Sequence, residues 1–266
     1  MPGLSTWQAL PNATLEYLDP FILLNHHGPD SFELQNNGLP FGPHPHRGFE
    51  TLTFVFDGDI VHEDSTGKKH VSGPGDVQWM TAGRGIIHSE VSSEEFKKKG
   101  GSIEVLQLWM NLPARLKMTT PDYVGYAENE ITTLSLDNHR VSVKLIAGSL
   151  NGQKGPHDSL TELMLSYTHF KKDGSLVMPV IASRTIFLYV VKGSLTADGQ
   201  SFDKHSLVQF NNDGEFLNLT ANEDSLVLLG HGEPLQEPKV SQGPFVMNTV
   251  GELKQAFLDY QAGKFA

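Results

Sequence analysis

The sequence predicts an all-β, turn-rich fold, and three observations carry that prediction. The 266 residues include 26 glycines and 15 prolines, which punctuate many short apolar runs. Several of those runs alternate apolar and polar side chains, the period of a strand with one buried face. The runs also follow one another at the close spacing of a sandwich or barrel, with no helical stretches between them to build βαβ units.

The elements follow in order. Phe21–Leu24 reads as a short buried strand that ends at Asn25-His26-His27-Gly28. The loop 38–43 leads to a strand over Thr51–Phe56, punctuated by Asp57-Gly58. Asp59–Asp64 is its return strand, and Ser65-Thr66-Gly67 turns the chain again. Gly73-Pro74-Gly75-Asp76 is a tight turn before the buried strand Val77–Met80, and Ile103–Met110 alternates once more. Lys97-Lys98-Lys99 reads as a solvated loop. The polar stretch 128–133 marks an expected boundary between domains over 1–130 and 131–266. Glu252–Tyr260 spaces its apolar residues as a short amphipathic helix lying on the barrel.

The second half echoes the first. Thr51–Ile60 resembles Ile186–Leu195, each an apolar strand entering a glycine turn. That alignment sets Pro179 at the place of His44, Ile181 at His46 and Thr185 at Glu50. The scaffold is repeated without its histidines.

Composition excludes several classes of function. With no cysteine, the chain holds no disulfide scaffold, thiolate cluster or Cys-type zinc site. A net charge of −11 repels phosphate backbones, so direct nucleic-acid binding is not expected. No apolar run is long enough to span a bilayer and no signal peptide is read, so a cytoplasmic location is expected.

The chemistry sits in two segments, Pro43–Glu50 and Gly83–Glu90. His44 and His46 lie one residue apart, as do His88 and Glu90. Extended backbone points residues i and i+2 to one side, so the two pairs offer three imidazoles and a carboxylate to one point. That set suits a divalent first-row metal, and ligand type alone does not choose among iron, manganese, nickel, cobalt and zinc. Gly83-Arg84-Gly85 reads as a turn feeding His88 and not as a phosphate loop. His62 and His70 read as surface residues near hairpin turns. His26 and His27 read as satisfied structural histidines, one of them near the pocket mouth. His139, His157, His169, His205 and His231 have no partner at ligand spacing. Trp79 and Met80 fit a buried strand. Phe41 and Phe49 flank the ligands and suit either an aromatic substrate or the core.

The pattern Gly38-x5-His44-x-His46-x3-Glu50 resembles the first signature of the cupin superfamily. The second segment departs from the general form: Thr81 stands where proline is usual, four residues separate Gly83 from His88, and Glu90 is extra. With these departures, residues 43–51, 73–85 and 88–90 together resemble the pirin family. The likeness reaches Asp19-Pro20-Phe21 and residues 243–248. It implies a bicupin of two tandem jelly-roll β-barrels, with one metal ion in the N-terminal barrel only. The implied ligands are His44, His46, His88 and Glu90. Glu50 either supports a ligand imidazole or pairs with Arg47 or Arg84 as a strand carboxylate. Iron(II) is the ion implied first, with manganese, nickel, cobalt, copper and zinc as alternatives. The activity implied is that of a quercetin 2,3-dioxygenase, taking a flavonol-like substrate and dioxygen, with Glu90 as ligand and base in turn. The alternative is a metal- or redox-gated regulatory protein acting through protein partners.

Overall fold

The computed structural model describes residues 4–211 and 213–265. Backbone contacts divide the chain into two compact units. The first runs to Tyr17, takes in Phe21–Glu128 and is completed by the segment from Leu235. The second holds Leu18–Pro20 and Asn129–Pro234.

The first unit contains β1 (Thr6–Leu10), β2 (Phe21–Phe32), β3 (Phe41–His46), β4 (Phe49–Asp57), β5 (Ile60–Asp64), β6 (Lys69–Ser72), β7 (Val77–Thr81), β8 (Ile86–Val91), β9 (Gly101–Asn111) and β10 (Asp122–Tyr126). They form two antiparallel sheets in the orders β1-β2-β9-β4-β7-β10 and β3-β8-β5-β6. The second unit contains β11 (Thr132–Leu136), β12 (Val141–Ala147), the short pair β13 (Ser149–Leu150) and β14 (Gln153–Lys154), β15 (Leu163–Phe170), β16 (Ser175–Pro179), β17 (Thr185–Lys192), β18 (Ser194–Ala197), β19 (Gln200–Asp203), β20 (Leu207–Gln209), β21 (Phe216–Ala221) and β22 (Ser225–Gly232). Its sheets run β11-β12-β15-β22-β17-β20 and β16-β21-β18-β19. The order β15-β22-β17-β20 reproduces β2-β9-β4-β7, and β16-β21-β18-β19 reproduces β3-β8-β5-β6. The fold is the expected pair of tandem jelly-roll barrels, and the echo in the sequence is an echo in topology.

Period-two patterning explains the cores. In β16, Leu176 and Met178 are buried while Val177 and Pro179 face out. The inward set joins Val143, Leu145, Leu188, Leu217, Leu219 and Leu229 in one apolar cluster. At about 25 cal/mol per Å² of apolar surface removed from water, such a cluster dominates the stability of its barrel.

Two segments differ from the sequence reading. Glu94–Lys99 forms a helix, α1, and not a loop. Ser93 caps it by accepting the Phe96 amide, its acidic residues lie in the first turn and its lysines in the last, as the helix dipole favours. Phe96 is buried beneath it, so the basic run is the exposed end of a helix pinned by one aromatic ring. The second difference is the last segment. β23 (Val240–Gln242), β24 (Phe245–Met247) and helix α2 (Val250–Gln261) belong to the first unit, whereas the sequence reading ran a single domain over 131–266. Their apolar faces explain this: Phe245, Met247, Leu253, Ala256 and Phe265 form one cluster that packs with Ile87 of β8. The helix itself is as expected, started by a Thr249–Glu252 capping box.

Candidate metal centre

β3 and β8 are antiparallel neighbours, and their register sets His44 opposite His88. His46 follows on the same face of β3, so three rings meet. Their centroids lie 4.8 Å apart for His44–His46, 4.4 Å for His44–His88 and 4.9 Å for His46–His88. One ring nitrogen from each falls within 4.8 Å of the others. His46 and His88 are both buried, and no ring nitrogen of either makes a hydrogen bond of good geometry, although the Pro244 carbonyl lies near His46. Buried polar atoms left so are costly and rare, and four on two adjacent rings point to a missing partner. Burial, helped by neighbouring His44, lowers His46 to about 3, and burial pushes His88 well below its ordinary range. Both rings are therefore neutral and keep a lone pair at physiological pH. His44 Nδ1 donates to the Gly42 carbonyl at 2.7 Å, which leaves Nε2 as its free donor atom. These residues fit a divalent first-row ion.

Glu90 is placed two residues beyond His88 on β8 and is buried. It lies outside the trio of closest donors. Thr53 Oγ1 donates to its Oε1 at 3.1 Å, Gln78 donates to the same oxygen, and Gln107 Nε2 donates to Oε2 at 2.7 Å. These donors form a row across the large sheet, because Thr53 pairs in register with Gln78 on one side and Gln107 on the other. Sequence reasoning missed this row. The available signal was a polar side chain in the middle of each of three apolar strands.

Glu50 is also buried, and its Oε1 accepts from Thr81 Oγ1 at 2.6 Å. Burial outweighs that hydrogen bond and raises its carboxyl to about 7. It does not pair with Arg47. That guanidinium bonds Asp259 of α2 at 2.8 Å and the Arg84 carbonyl at 2.6 Å, and lies 4.5 Å from the Phe265 ring centre. The Arg47 carbonyl accepts from the Val246 amide at 3.0 Å. Buried Lys117 adds bonds to the Gly48 carbonyl at 2.8 Å and the Val246 carbonyl at 3.0 Å. Gly48, at φ +90°, permits this approach, since a Cβ there would stand 2.0 Å from the Val246 oxygen. The C-terminal segment thus clasps the turn that carries the first ligand pair and the loop that leads to His88.

His62 is buried and not a surface residue. Its Nε2 lies 2.8 Å from Asp64 Oδ2, its ring stacks 3.7 Å from Tyr123 and sits 5.4 Å from His88. Tyr123 in turn donates to Gln78 at 2.9 Å. Adjacent His70 is partly exposed. His26 is buried against Glu104 at 3.0 Å, a satisfied histidine as expected. His27 and Phe41, 5.2 Å apart, wall a cavity of about 30 Å³ shared with His44, Thr53, Glu90 and Gln107. Burial lowers His27 to about 4. Phe49 is core, stacked 4.4 Å from Trp109.

No helix among the described residues is long and apolar enough to cross a membrane. The chain matches the Pirin family model over residues 3–110 and the Pirin C-terminal cupin domain model over 167–266. It is 40% identical to Pirin-1 of Arabidopsis thaliana, over 93% of this chain and 83% of that one. A crystal structure of quercetin 2,3-dioxygenase from Acinetobacter baumannii superposes with a TM-score of 0.88 and 35% identity, covering 94% of this chain and 87% of that one. A bacterial pirin of Escherichia coli in complex with nickel(II) shares the fold, with a TM-score of 0.70 and 23% identity over 88% of this chain and 93% of that one. Two jelly rolls, a histidine trio found among the described residues in the first alone, and these matches over both halves give one answer: the chain belongs to the pirin family.

Proposed function

We propose that the chain is a metal-dependent dioxygenase of the quercetin 2,3-dioxygenase type, with a flavonol-like compound and dioxygen as substrates. One observation carries the reading: three imidazoles converge, and two of them are buried without a hydrogen bond of good geometry. His44, His46 and His88 would hold the ion, with Glu90 as fourth ligand and iron(II) as the resident species. When bound, such an ion supplies Lewis-acid stabilisation of an oxyanion. The chain's own groups do the rest. Glu90 accepts the proton of the substrate hydroxyl. Thr53, Gln78 and Gln107 fix the orientation of its carboxylate. Val105 and Ile60 keep that corner apolar, and His27 with Phe41 forms the wall a planar ring would meet. The reading carries a cytoplasmic location with it.

The test is oxygen uptake with a flavonol panel, on protein reconstituted with each of iron, manganese, nickel, cobalt and copper. Uptake that depends on the ion and disappears in His44→Ala supports the proposal. No uptake with any of them overturns it.

A second reading rests on the size of the cavity. About 30 Å³ holds a water molecule or dioxygen, whereas organic ligands occupy sites of several hundred Å³. A flavonol enters only if the His27–Phe41 wall opens. A regulatory protein whose iron oxidation state is read by a protein partner needs no such opening. Partner capture that differs between the ferrous and ferric protein supports this reading, and indifference to oxidation state removes it.

A further inference from the structure

The second unit has lost the metal ligands but not the opening they faced. A cavity of about 630 Å³ lies in it, within the range of small-molecule sites. Pro179 and Ile181, at the places of His44 and His46, line it. Behind them stands His231, paired in register with Ile186 as Trp109 is with Thr51. Arg184 enters the same space with its side chain only 12% exposed.

The hydrogen bonds give this pair a polarity. Arg184 Nη1 donates to His231 Nδ1 at 3.3 Å, so the imidazole proton is on Nε2. Burial and the guanidinium charge lower His231 to about 4, which keeps the ring neutral. A second Arg184 bond runs from Nη2 to Glu162 at 2.7 Å, and Glu233 stands 3.8 Å from Nε. Both carboxylates are on the water side, 82% and 55% exposed, where screening weakens their pull. A guanidinium has five N–H donors, so this one has donors to spare. Thr161 Oγ1, also lining the cavity, is buried without a partner. One side of the wall is apolar, with Met164, Pro179, Val180 and Ile181, and the other carries Ser149, Lys154, His157, Asp158 and Ser159.

We propose that this cavity binds a small organic acid, with its carboxylate on the Arg184 fork and a flat or branched apolar body against Met164 and Ile181. A planar monoanion matches the fork in shape and charge. Asp158 of the same lining is already paired with Lys154, so Arg184 is the buried cation left to meet the acid. Among the described residues no metal-ligand set gathers here, and the echo puts Pro179, Ile181 and Thr185 at the ligand and acid positions.

The experiment titrates metal-free protein with benzoate, phenylacetate and isobutyrate by calorimetry, with benzamide as the uncharged control. Metal-free protein is used so that carboxylate coordination at the histidine trio contributes nothing. Saturable binding of an acid, at least tenfold tighter than benzamide, is expected. It should fall tenfold or more in Arg184→Met and survive in His44→Ala. Ile181 is 53% exposed, so Ile181→Trp should fold normally and block the cavity while leaving Arg184 in place. Failure of all three acids to bind, or binding that persists in both Arg184→Met and Ile181→Trp, overturns the proposal.

Discussion

The two units run the same sheet order with opposite interiors. Across the large sheet of the first unit the inward row reads Gln107–Thr53–Gln78. The matching row of the second reads Leu229–Leu188–Val208. Where His44 faces His88 across β3 and β8, Pro179 faces Phe216 across β16 and β21. Sixteen of the twenty buried polar or charged residues among those described fall in the first unit. The topology therefore tolerates either filling, and the choice decides what each barrel can do. An apolar row adds stability, while a polar row costs desolvation and creates a place where an ion and a carboxylate can be held.

Turning the first interior toward the second is the strongest way to break this contrast. His46→Leu should weaken metal binding by more than about 100-fold, beyond the loss expected for an outer hydrogen-bond partner, and abolish oxygen uptake. The same variant should make the metal-free protein more stable, by about 1–3 kcal/mol in denaturant unfolding, because two orphaned nitrogens leave the interior. Metal binding that persists would show that the trio is not the site. Glu90→Gln should come next: oxygen uptake down by about 10²–10⁴-fold, with metal content largely retained in elemental analysis. Unchanged turnover would remove Glu90 as the base.

The pH dependence of the metal-free protein sharpens the contrast further. Glu50 has a folded-state pKa near 7, above its ordinary 4.5, so the native state holds its proton more tightly than the unfolded chain. Its contribution is fully present below about 4.5 and is lost as pH rises through 7, by up to about 3 kcal/mol. His46 acts in the opposite sense. Lowered from 6.5 to about 3, it costs stability as pH falls below 6.5. Melting curves from pH 5 to 8 should therefore show Glu50→Gln gaining most at pH 8. An equal gain at pH 5 would mean that ionisation is not the cause. The smallest effect expected is at the clasp. Asp259→Asn should weaken metal binding several-fold in chelator competition, with no effect on acid binding at Arg184. Unchanged metal affinity would show that the clasp does not position the ligands.

The legibility of this molecule follows sequence distance. His44, His46 and His88 were readable because period-two geometry forces residues i and i+2 onto one face, so local spacing already implies convergence. The all-β class and the echo of the second unit were readable from strand periodicity and glycine turns. His62 was misread because its burial is decided by Tyr123, far along the chain, and not by the hairpin beside it. Phe41 and Phe49 look alike in sequence, and only the packing on Trp109 separates a cavity wall from a core ring. Arg47 and Asp259 are 212 residues apart, and no local pattern announces that bond. The histidine trio itself needed nothing beyond its own two strands, but what surrounds it came from six others, β2, β4, β5, β7, β9 and β10.

That 212-residue bond also sets an order of events during synthesis. The turn bearing His44 and His46 leaves the ribosome early, but its clasp is encoded after the whole of the second unit. At about 5–20 residues per second, roughly ten seconds or more of translation separate them. The first barrel is therefore without its clasp until the second unit has been synthesised, and the turn bearing His44 and His46 is secured only after that.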